Sequence, residues 1–220
     1  MGPCRSRNSN VHSRTKRSTI QLVGDYYDDF YVVPIAIGHP PQQFNVLLDT
    51  GSANLWVIDS HCESVACNGS ASSGYAKRRF NSTGSVSLVN LPQQISLTYE
   101  FGYCNGHLAD DMVQISNMSF PQRFTIATFV DDNFGEKPID GILGLGWPNI
   151  SVESIPTPLQ NMASLLPEAM FTIWLDRRLE LSEGGAGGQV TYGGYDTEHC
   201  AGNASYVPLS STTYWQITLT

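Results

Sequence analysis

The sequence predicts an all-β protein with few short helices. Three observations carry this reading. Only 15% of the 220 residues are charged, while the chain holds 20 glycines and 12 prolines, a composition suited to a turn-rich chain. Apolar residues come mostly in short runs bounded by Gly, Pro, Asn or Ser, as strands between turns do. Only one stretch repeats apolar residues at helical spacing. At 41% apolar the chain can bury a sizeable core, and no run of 18 apolar residues predicts a membrane-spanning helix.

In order, residues 1–19 show no periodicity and read as irregular. Arg5, Arg7, Arg14, Lys16 and Arg17 give them a charge of +5 with no acid, whereas the rest carries 7 basic and 20 acidic residues, hence −13. A basic arm on an acidic body reads as a self-docking pro-segment remnant over residues 1–20, with Lys16-Arg17 as a candidate processing site. The acidic body argues against nucleic acid as a partner. The pattern changes at Asp25. Phe30 to Gly38 is a β run, His39-Pro40-Pro41-Gln42-Gln43 a proline-forced turn and Phe44 to Leu48 the next strand. His39 reads as a solvated turn residue.

That strand runs into Asp49-Thr50-Gly51-Ser52. A carboxylate after Val46-Leu47-Leu48 is poorly solvated unless hydrogen-bonded. Thr50 and Ser52 offer hydroxyls, and Gly51 lets the backbone fold back with its N–H groups inward. The expectation is a buried, hydrogen-bonded carboxylate at a turn.

Leu55 to Ile58 is a strand leading to Cys62-Glu-Ser-Val-Ala-Cys67, a loop with room for a local disulfide; no paired motif with zinc spacing accompanies it, and no metal is expected. Cys4, Cys104 and Cys200 remain, and Cys200 reads as half of a bridge whose partner lies beyond residue 220. Residues 68–87 are polar. Ile95 to Tyr99 alternates strictly, Leu108 to Ile115 returns, and Glu100 to Gly106 between them reads as a hairpin's mobile tip. Phe124 to Val130 is a strand, followed by Ile139-Asp140-Gly141-Ile142-Leu143-Gly144-Leu145-Gly146. Asp140 is rejected as a catalytic acid because it lacks neighbouring Thr and Ser hydroxyls. Thr157-Pro158 reads as a helix start, with Leu159, Met162, Leu165 and Leu166 on one face until Pro167. Phe171 to Leu175 is a strand, Gly184 to Gly188 a flexible turn, Val190 to Gly194 a strand, and Tyr206–Leu209 and Tyr214–Leu219 further strands. Five Asn-X-Ser/Thr sequons, at Asn68, Asn81, Asn117, Asn149 and Asn203, favour a secretory route. Residues 1–19 lack a signal peptide's apolar core, so the expectation is that the true start lies upstream or that the sequence is a fragment.

Asp49 to Val57, the Ile-Gly-His-Pro-Pro-Gln turn before it, Ile142-Leu143-Gly144-Leu145-Gly146-Trp147-Pro148 and Tyr214-Trp215-Gln216-Ile217 together resemble the pepsin-like aspartic proteases, most of all nematode-type digestive or lysosomal members. The resemblance covers about Asp25 to Thr220. It implies an acid-protease lobe over residues 21–168, inter-lobe strands over 169–196 and the start of a truncated second lobe at 197–220. It implies an aspartic endopeptidase without cofactor, acting on polypeptides, secreted or lysosomal. Asp49 becomes half of a carboxylate dyad, with Ser52 hydrogen-bonded to it. Tyr99 becomes the flap tyrosine, supported by Trp56. The flap departs from the family's Tyr-Gly-Thr-Gly at Glu100 and Phe101, which would touch substrate; Phe134 and Ile142 are read as apolar pocket walls. Backbone groups of Gly51 and the flap would hold the peptide as an added strand. Only one Asp-Thr-Gly is present, so the second is expected from a C-terminal lobe in cis. Two alternatives stand beside this. One is an inactive lobe that only binds extended peptides. The other is a pair of copies each supplying Asp49, as in retroviral proteases, which residues 169–220 argue against.

Overall fold

Strands are the main secondary structure of this computed structural model, which describes residues 18–25, 30–69, 74–176, 185–200 and 204–219. In chain order they are β1 (Ser18–Asp25), β2 (Phe30–Ile37), β3 (Gln42–Asp49), β4 (Leu55–Ile58), β5 (Val89–Tyr99), β6 (Gly102–Ile115) and β7 (Met118–Val130). The short helix α1 (Asp132–Gly135) follows, then β8 (Gly141–Gly144), α2 (Pro158–Met162), β9 (Phe171–Leu175) and β10 (Gly185–Tyr192). The order β6-β7-β4-β8-β3-β2 closes into a ring, because β2 also pairs with β6 at Ile35↔Ile115. The strand β5 flanks β6 outside the ring, and β1, β10 and β9 continue the sheet from β2. Closure leaves the ring strands without open edges.

Both faces of the central strands are buried, so their runs read as continuously apolar. Alternate residues serve two different cores. Leu55, Val57, Leu143, Phe44 and Val46 enter one with Phe80, Phe124 and Tyr192. Trp56, Ile58 and Ile142 enter the other with Phe134, Leu97, Leu108 and the cysteine loop. Cys62 and Cys67 are joined as a disulfide; in the chain-entropy model so small a loop contributes about 2 kcal/mol. Among the described residues no helix is long and apolar enough to cross a membrane.

Several expectations are corrected. Ser18 and Thr19 are not irregular but open β1, which pairs antiparallel with β10 and β2. The hairpin tip is only Glu100-Phe101, since Tyr99 already pairs with Gly102. Gly106 lies inside β6 at a bulge, where a Cβ would collide with the Ile126 backbone. Gly185 to Gly188 are strand, not turn: β10 is sandwiched between β1 and β9, and a Cβ on Gly188 would strike the Trp174 carbonyl. Gly184 lies outside the described residues. Residues 206–209 and 214–219 form no strand; no described strand pairs with them, and strands need that pairing. The polar 68–87 stretch hides Phe80, fully buried between Phe44 and Phe124. The helix at 158–166 ends as α-helix at Met162 and tightens into a 3-10 turn over Ala163–Leu165. Its start is a capping box of Thr157 and Gln160.

Candidate active site

Asp49 is the last residue of β3, half-buried where the strand leaves the sheet. Gly51 N donates to its Oδ1 at 2.8 Å and Ser52 Oγ to its Oδ2 at 2.6 Å. Each carboxylate oxygen thus has a donor, as a charged form needs. Thr50 is exposed, and the second hydrogen bond comes from the Gly51 backbone where a Thr50 hydroxyl was expected. The Gly51 N–H is therefore turned onto Asp49 rather than outward toward a peptide.

The turn is braced from behind. Because β8 runs parallel to β3 with Asp49 opposite Gly144, its end delivers three successive amides to the turn. Gly144 N donates to Asn54 O at 3.1 Å, Leu145 N to Asp49 O at 2.7 Å and Gly146 N to Ser52 O at 2.7 Å. Asn54 adds a tie of its own, exchanging two hydrogen bonds with the Val152 backbone at 2.9 and 3.2 Å. That buried asparagine was not singled out from sequence; its place within Asp49–Val57 was the available signal.

The hairpin of β5 and β6 meets the same spot. The Tyr99 ring lies edge-on to Phe134 at 5.8 Å, and Phe134 edge-on to Trp56 at 5.6 Å. Burial, then Cys104 and Asp49, hold the Tyr99 phenol well above its usual range, with Trp56 and Ser52 pulling the other way. The phenol stays a proton donor beside Asp49 and Ser52. The expected Trp56–Tyr99 hydrogen bond is not completed: Trp56 Nε1 lies near enough to act on the phenol but is buried without a partner. Burial pushes the Cys104 thiol up to about 12, which leaves it inert. Glu100 and Phe101 are exposed at the tip, where the Lys137 ammonium sits 5.4 Å from the Phe101 ring and 4.2 Å from that of Phe30. Phe134 and Ile142 are buried beneath Tyr99 and Trp56.

Asp140 is not part of this site. Asn45 N donates to its Oδ2, four residues before Asp49 on β3, a span of roughly 13 Å along the strand. The reason given for rejecting it needs correcting, however. Its carboxylate is well supported, by Asn45 N at 2.7 Å, Arg78 N at 2.7 Å and the Tyr75 hydroxyl at 2.9 Å. Beside it Lys77 Nζ caps the carbonyls of Lys137 and Ile139 at 2.7 and 2.8 Å. Sequence reasoning missed these supports because they come from distant residues. No metal-binding cluster occurs among the described residues. Asn68, Asn81, Asn117 and Asn149 are exposed; Asn203 lies outside the described residues.

A family model described as eukaryotic aspartyl protease matches residues 30–220. Aspartic protease 1 of Caenorhabditis elegans is 46% identical over 198 residues, covering 89% of this chain and 50% of that protein. Aspartic protease 17 of the same organism is 40% identical, over 93% of this chain and 53% of that protein. Pepsin II-1 of Oryctolagus cuniculus is 36% identical, over 89% and 48%. The chain spans about half the length of these relatives.

Proposed function

We infer the function from one premise, that this chain belongs to the eukaryotic aspartyl protease family. Its role is to supply one half of an acid endopeptidase. Asp49 is one of two carboxylates that share a proton about a water molecule. The ionised one takes a proton from the water as its oxygen attacks the peptide carbonyl, and the protonated one polarises that carbonyl. The observation that carries this is the Asp49 carboxylate, gripped by Gly51 and Ser52 beneath the flap's Tyr99. The 220 residues contain a single Asp-Thr-Gly, so the second carboxylate comes from another lobe. Residues 21–168 act as the catalytic lobe, 169–196 as connecting strands, and 197–220 lead toward that lobe.

The substrate is an extended polypeptide lying under the flap, with Glu100 and Phe101 facing its side chains. Phe134 and Ile142 floor an apolar pocket that opens as the flap lifts. Exposed sequons and the Cys62–Cys67 bridge support a secreted or lysosomal setting. The second reading, a lobe that binds peptides without cleaving them, draws on the same single Asp-Thr-Gly. The test is the pH–rate profile of peptide cleavage by a form carrying both carboxylates. A bell with two apparent pKa values below neutrality is expected, because two interacting carboxyls titrate as a pair. A profile that rises with pH through neutrality contradicts the proposal.

A further inference from the structure

The brace behind Asp49 is itself held by a residue far along the chain. Leu145 is fully buried, and its carbonyl accepts a hydrogen bond from Trp215 Nε1 at 2.8 Å, across 70 residues of sequence. The Leu145 carbonyl and the Gly146 N–H belong to one planar peptide unit. The other side of that plane donates to Ser52 O at 2.7 Å, and the Ser52 hydroxyl donates to Asp49 Oδ2 at 2.6 Å. One rigid plane therefore links the indole N–H to the residue that grips the carboxylate. Nothing bulkier than glycine fits at this contact, since a Cβ on Gly146 would lie 2.7 Å from Ser52 O.

The Trp215 ring is placed by its own contacts. It tilts against Trp147 at 5.1 Å and meets Phe171 edge-on at 5.3 Å. Ser210 N donates to Gln216 O at 3.0 Å, closing the loop that carries it, and Asn149 Nδ2 ties that loop down through Thr212 Oγ1 at 3.0 Å. Yet Trp215 remains 43% exposed, so core filling is not its main work. Its directed contact is the N–H on Leu145.

We propose that Trp215 is a positioning residue for Asp49, acting through the Leu145–Gly146 peptide plane and Ser52. The part of this that concerns turnover rests on the function proposed above; the structural part does not. Two substitutions isolate the indole N–H. Trp215→Phe keeps an aromatic ring, and 3-benzothienylalanine at 215 replaces the N–H by sulfur in an otherwise matching ring. In the full 220-residue chain, amide exchange at Gly146 is expected to quicken about fivefold in both variants. The Asp49 carboxyl carbon resonance should shift with it, while melting stays within about 2 °C of the parent for the benzothienyl variant. In the two-carboxylate form the same variants should lower kcat about fivefold and leave KM unchanged. Phe171→Leu, which loosens the ring but spares the N–H, should leave the Asp49 resonance in place. Unchanged exchange and resonance in both Trp215 variants overturn the proposal, as does a shift that appears equally in Phe171→Leu. Absence of cleavage in every form would instead count against the proposed function, since the exchange and resonance measurements need no turnover.

Discussion

Asp49→Asn in a form carrying both carboxylates is expected to lose peptide cleavage by roughly 10³-fold or more, because the amide can neither take nor return a proton. The fold should persist. Asn is nearly isosteric, its carbonyl oxygen can accept from Gly51 N, and its amide can donate to a rotated Ser52 hydroxyl. The site is half-buried at a turn, so the cost should stay under about 1 kcal/mol. Peptide binding should survive as well, since the β5–β6 hairpin and its Tyr99–Phe134–Trp56 packing are untouched. Cleavage rates, peptide affinity and melting, measured on one preparation, separate these outcomes. Substantial residual cleavage would mean that the chemistry sits on another group.

Asp140→Ala should do the reverse and cost stability without touching the chemistry. It removes the acceptor shared by three part-buried donors, the amides of Asn45 and Arg78 and the Tyr75 hydroxyl, each lost bond costing about 1 kcal/mol. It also removes the charge that draws the Lys77 pKa upward; burial already lowers that ammonium to about 8. A loss of about 2–3 kcal/mol is expected. Burial raises the Asp140 pKa above the ordinary carboxylate range, against the pull of its hydrogen bonds. The folded state then holds its proton to higher pH than the unfolded chain does. Stability from this group is fully present below the unfolded value of about 3.9 and declines as pH rises through the folded one. Denaturant melts across that window should show the decline in the parent chain and a flatter profile in Asp140→Ala. Loss of cleavage with unchanged melting would place Asp140 in the chemistry after all.

The two carboxylates also show what could be read from sequence. Asp49 was legible because its partners are local: the strand that delivers it and the two residues that grip it lie within a few positions. Tyr99 was legible for a similar reason, since Ile95, Leu97 and Tyr99 alternate along one strand face. Asp140 was set apart on a wrong premise, because its donors come from residues 45, 75 and 78. Strand formation failed to be legible wherever a partner decides it. Gly185 to Gly188 have the composition of a turn and become strand because β1 and β9 lie on either side. Residues 206–209 and 214–219 have the composition of strands and find no strand to pair with among the described residues. Phe80, alone in a polar stretch, carries no periodicity that could reveal its burial.

We propose that this chain holds one working carboxylate of a pair. The most direct measurement is cleavage of an unfolded protein substrate at acid pH by the monomeric 220-residue chain, beside the same chain joined to a lobe bearing a second Asp-Thr-Gly. Cleavage is expected from the joined form and little or none from the monomer. Robust cleavage by a monomer shown to be monodisperse, inhibited by pepstatin, would contradict it.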